Sequence, residues 1–107
     1  MINWPRVAQL KDEVGTEDFG EVVQLFLEEV DEVIDRLRNN SDPASLAGDL
    51  HFLKGSALSL GFESFSAMCQ DGERMAAAGQ ASEVDLGAII RNFEQSRDTF
   101  QADLAQV

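Results

Sequence analysis

Apolar residues recur along this chain at alternating spacings of three and four, the separation that gathers side chains on one face of a helix. In mid-chain Leu46, Leu50, Leu53, Ala57 and Leu60 keep that rhythm. Asp42-Pro43 supplies an N-cap followed by proline at the first helical position, and Gly61 supplies a C-terminal stop, so a central helix is predicted from about Pro43 to Leu60. Upstream, Asn3 is the predicted cap of a short helix that opens on Trp4 and Pro5 and runs over about residues 4–14 to Gly15. Thr16 is the predicted cap of a longer helix, with Glu17 and Asp18 favourably placed against the helix dipole. Its apolar face carries Phe19, Val22, Val23, Phe26, Val30, Val33 and Leu37, and Asn39-Asn40-Ser41 breaks the pattern. Beyond Gly61, Glu63 or Ser64 restarts a helix with Phe65, Met68, Cys69, Gly72 and Ala76, which Gly79 ends. After Gln80-Ala81-Ser82 the last helix shows Leu86, Ile89, Ile90, Phe93, Phe100 and Leu104.

No segment alternates with period two, and no Asn-Gly or Asp-Gly pair marks a hairpin. The chain therefore reads as all-α. Four amphipathic helices with short connections predict an antiparallel up-down-up-down four-helix bundle, with the short N-terminal helix as a lid on one end. The 107 residues suit one domain, with the bundle over about residues 17–106.

Composition narrows the function. Hydrophobic residues make up 44% of the chain, which argues against intrinsic disorder. No apolar run approaches the roughly 20 residues of a membrane span. The chain is expected to be cytoplasmic and monomeric, with no membrane partner. Twenty acidic against eight basic residues give a formal charge of −12, which opposes binding to nucleic acid or anionic lipid and favours a partner with a basic or apolar surface. The single cysteine, Cys69, falls in the apolar pattern and reads as a small buried hydrophobe. With one His and one Cys, a His/Cys metal site is excluded, and no EF-hand-like loop offers a carboxylate site. There is no Walker-type loop for ATP and no nucleophile elbow.

The only histidine, His51, sits in the central helix with Lys54 and Gly55 three and four residues on, on the same face. At about 100° per residue, His51 points roughly 140° from the centre of the apolar stripe and should face solvent. Gly48 and Gly55 flank it, although a helix-interior glycine costs roughly 1 kcal/mol relative to alanine. A purpose other than helix stability is implied.

The run from His51 to Gly61, H-x-L-K-G-S-A-x-x-L-G, resembles the signature of histidine-containing phosphotransfer (HPt) domains. The resemblance implies a four-helix bundle whose histidine carries a phosphoryl group between receiver-domain aspartates of two-component systems. It implies His51 as the phosphorylated nucleophile, Lys54 as its assistant, and Gly55 as the small residue that lets a partner approach. The partners implied are response-regulator receiver domains and a histidine kinase or hybrid kinase. No cofactor is expected on this chain, and Mg²⁺ would belong to the receiver. Such a chain is a phosphocarrier rather than an enzyme.

Antiparallel pairing about a turn near Phe62 places Glu73 level with His51, where its carboxylate can orient the imidazole. The resembled family often has Gln or Glu at a similar place. The same construction about Ser41 brings Asp31 and its neighbours beside His51, where negative charge would oppose a phosphoryl group. Leu58, two turns after His51, falls off the core stripe and suits a docking patch with Gly55 and Gly48. Beginning at Met1 and ending soon after the last helix, the chain is expected to be a freestanding module served by a kinase elsewhere. The alternatives are an acidic helical adaptor or chaperone without phosphoryl chemistry, and a small enzyme using His51 as a general base.

Overall fold

The computed structural model describes residues 2–104. Five α-helices follow in order: α1 (Trp4–Val14), α2 (Thr16–Asn39), α3 (Leu46–Leu60), α4 (Glu63–Ala77) and α5 (Leu86–Asp103), with a short 3₁₀ turn at Ala81–Glu83. The expected end of the last helix near residue 106 lies outside the described residues. The four long helices close a ring in which α2 packs on α3 and α5, and α4 packs on α3 and α5. Short connections make successive helices antiparallel, which is the expected bundle. Its long dimension, 43 Å against 21 and 20 Å, follows the helix axes.

The core is the sum of the apolar stripes. Leu46, Leu50, Leu53, Ala57 and Leu60 are all buried on α3, and on α2 Leu27 and Ile34 join the expected face. At one end Phe62, Phe65, Phe93 and Phe100 form an aromatic cluster, with Phe62 and Phe100 edge-on at 5.3 Å. Trp4 stacks on Phe100 at 5.9 Å, so α1 does cover that end.

The turn from α3 to α4 is built around Gly61. It adopts φ +80°, a left-handed conformation that favours glycine, and its N–H bonds back to Leu58 O while that of Phe62 bonds to Ala57 O. Its carbonyl in turn accepts from the Asn3 N–H at 2.7 Å. A Cβ at Gly61 would stand 2.8 Å from Asn3 O, so this contact too requires glycine. One residue thus ends α3, turns the chain and seats α1.

Two expected boundaries are corrected. The central helix begins at Leu46 rather than Pro43, because Asp42 makes a turn instead of a cap: its Oδ1 accepts from Ala44 N–H at 2.9 Å and its carbonyl from Ser45 N–H at 3.0 Å. Gly48 therefore lies in the first turn of α3 and not in the helix interior. Thr16 is already helical, and the N-cap of α2 is Gly15 at φ +88°, with no side-chain cap bond. The Asn3 cap holds, its Oδ1 accepting from Arg6 N–H at 3.1 Å.

Candidate functional site

His51 stands on the outer crest of α3 with its side chain 68% exposed. The buried stripe of α3 forces this outward direction, since a helix that buries one face must present the opposite one. On one flank lies α4. There Nδ1 of His51 is 2.9 Å from Glu73 Oε2. The second oxygen of the same carboxylate, Oε1, lies 3.1 Å from Lys54 Nζ, in an ion pair off the line of a good hydrogen bond. Lys54 and Glu73 are each 25% exposed, so their pairing is partly shielded from water.

This geometry settles the direction of the imidazole bond. The Lys54 contact holds the Glu73 carboxyl below its ordinary pKa; partial burial opposes this and the His51 bond adds to it. Ionised, Glu73 can only accept. Nδ1–H of His51 therefore donates, and in the neutral ring Nε2 is left with the free lone pair.

What allows α4 so close is Gly72. A Cβ there would meet Leu50 Cδ1 at 2.9 Å and both Ile89 Cδ1 and Val84 Cγ1 at 3.3 Å. The adjacent residue, Glu73, is thereby carried to the rim of the α3–α4 contact. Below it Ser66 Oγ donates to Lys54 O at 3.5 Å, a weak further tie between the two helices. Cys69, one turn before Glu73, is fully buried. Burial, with a smaller contribution from the Glu73 charge, pushes its thiol up to about 12, which keeps it a protonated core residue.

The other flank of His51 faces α2 and is open. A shallow groove of about 360 Å³ is lined by Phe26 and Glu29 from α2 and by Phe52, Gly55, Ser56 and Ser59 beside His51. A Cβ at Gly55 would meet nothing within 4 Å, so no internal packing demands glycine there. The same holds for Gly48, which is exposed but is not among the groove-lining residues. Leu58 is exposed two turns from His51, as expected.

Of the acidic stretch expected beside His51, a neighbour of Asp31 and not Asp31 itself lines the groove. Asp31 is taken by Arg97 of α5 at 3.5 Å, and the carboxylate in the groove is Glu29. Two residues apart on a helix are about 200° apart in azimuth, so one faces α3 when the other faces α5. Asp49, just before His51, is paired with Arg36 at 2.6 Å, which ties the end of α2 to the start of α3. Phe52 and Leu25 were passed over in the sequence. Together with Leu58 they are the exposed large hydrophobics among the described residues. The available signal was that both sit off the apolar stripes of their helices.

Among the described residues, no helix is long and apolar enough to cross a membrane, and no group of three or more His, Cys, Asp or Glu side chains is placed to hold a metal ion. The site is thus an exposed imidazole held through Nδ1 by a carboxylate on the neighbouring helix of the bundle. The Hpt domain family model matches residues 21–107, and the chain belongs to that family, whose function is histidine phosphotransfer. No curated protein and no solved structure matches the chain.

Proposed function

We propose that this protein is a phosphorelay intermediate that carries a phosphoryl group on His51 between receiver-domain aspartates of two-component systems. The observation that carries this is the 2.9 Å contact in which Glu73 holds Nδ1 and leaves Nε2 as the unprotonated nitrogen of an exposed ring. Nε2 attacks the phosphorus of an aspartyl phosphate; the N–P bond forms, the P–O bond breaks, and the receiver's aspartate leaves as its carboxylate. The ring then bears a positive charge with its Nδ1 proton still directed at Glu73, which stabilises it. Transfer to a second receiver is the same step reversed. Lys54, one turn away, is the cation that can meet the phosphoryl oxygens, and Mg²⁺ would belong to the receiver.

The open groove, Gly55 and the exposed Phe52, Leu25 and Leu58 support docking of a receiver domain on this face. Gly48 would lie at the margin of that surface. A histidine kinase or hybrid kinase would supply the phosphoryl group, and the chain would act as a cytoplasmic monomer with no ATP site or cofactor of its own.

The test is to mix the protein with a phosphorylated receiver domain and look by mass for an acid-labile, base-stable adduct on His51. In His51→Gln the adduct should vanish while the melting temperature stays nearly unchanged, because the side chain is largely in water. An adduct that survives in His51→Gln removes the site, and no adduct on the wild type returns the protein to the adaptor class.

A further inference from the structure

We infer that Glu29 is a specificity-determining residue of the acceptor face, selecting a receiver domain that brings a lysine or arginine into the groove beside His51. Its role rests on the phosphocarrier reading above. Three other carboxylates around the site are paired: Glu73 with Lys54, Asp49 with Arg36, Asp31 with Arg97. Glu29 makes no hydrogen bond or ion pair with a described residue, yet it lines the groove that His51 opens onto. It also lines a second shallow cavity of about 210 Å³, with Val22, Leu25 and Phe26. Glu29 therefore lies between the exposed apolar side chains of Leu25 on α2 and Phe52 on α3.

A surface that covers both Leu25 and Phe52 must pass over the Glu29 carboxylate. Covering an unpaired carboxylate is unfavourable unless the incoming surface supplies a cation. The same charge acts on a phosphoryl group at Nε2, where Lys54 is shared with Glu73. A small anionic donor meets that repulsion with only Lys54, itself paired with Glu73, to offset it. A receiver with a basic side chain at the contact turns it into attraction.

Initial rates of His51 phosphorylation, read by intact mass, separate the two effects. The donors are phosphoramidate, which transfers its phosphoryl group with release of ammonia, and the fastest phosphorylated receiver domain in a panel. In Glu29→Gln the receiver rate should fall and the phosphoramidate rate hold or rise, lowering their ratio about fivefold at low salt and less at high salt. Glu21→Gln removes the same charge two turns away along α2 and should leave the ratio unchanged. An unchanged or raised ratio in Glu29→Gln, or an equal fall in Glu21→Gln, overturns the role of Glu29 and leaves the phosphocarrier reading intact. No adduct on wild-type His51 from either donor overturns both.

Discussion

Glu73 divides its two oxygens between two neighbours, and the variants that separate those contacts have different expected outcomes. Glu73→Gln keeps an oxygen that can accept from Nδ1–H but loses the charge that holds Lys54. Glu73→Ala loses both and leaves a half-buried ammonium without its partner. Phosphoryl acceptance from a receiver should therefore fall in both, by at least about tenfold in the alanine variant and less in the glutamine variant. Equal loss in the two would mean that the charge, and not the orientation of the ring, is what matters. Lys54→Ala should slow transfer without abolishing it, most visibly at low ionic strength. The lowered carboxyl also sets a sign for stability. A depressed carboxyl contributes stability that is present above its ordinary pKa of 4.5 and is lost as pH falls through the lowered value. Wild type should melt above Glu73→Gln at neutral pH, and the gap should close in acid; a gap that widens in acid would contradict the pairing.

At the scale of the helix, two glycines that look alike in sequence have opposite roles. Gly55 has open space where a Cβ would go, so Gly55→Ala should raise stability by up to about 1 kcal/mol through helix propensity alone. Gly55→Gln should fold equally well yet accept phosphate slowly from a receiver and normally from phosphoramidate, since only the larger donor needs the approach path. Gly72 has Leu50, Val84 and Ile89 against it. Gly72→Val should cost about 2 kcal/mol by overpacking and push α4 outward, carrying Glu73 away from His51. Thermal melts of Gly55→Ala and Gly72→Val should therefore move in opposite directions. The heptad-like spacing identifies both as helical residues, but the neighbour that decides between them comes from another helix. For that reason Gly72 reads from sequence as only a member of an apolar stripe.

For the whole molecule, charge is the dominant long-range fact. A formal charge of −12 on 107 residues implies self-repulsion in the compact state and attraction toward a basic partner. Raising salt from about 10 mM to about 0.3 M should raise the melting temperature while slowing receiver-dependent transfer, because the same screening acts on both. A melting temperature that falls with salt would show that attractive ion pairs, such as Arg36–Asp49 and Arg97–Asp31, outweigh the net repulsion.

What the chain determined by itself is what depends on near neighbours along it. Apolar residues three and four apart specify the buried face of each helix, and that face sends His51 outward. Gly61 specifies the α3–α4 turn through its own backbone freedom. That turn is short enough that residue numbers alone set Glu73 level with His51, and the 2.9 Å contact follows. The α2–α3 connection is different. Asp42 and Ser45 bond to each other in a turn, the helix starts late, and helix azimuth rather than numbering turns Asp31 toward Arg97 and leaves Glu29 in the groove. Tertiary structure alone decided the close packing at Gly72, the gathering of the exposed Leu25 and Phe52 on one side of His51, and the sharing of one carboxylate between Lys54 and His51. Each depends on where a second helix lies, and distances between helices are fixed by packing across the bundle rather than by spacing along the chain.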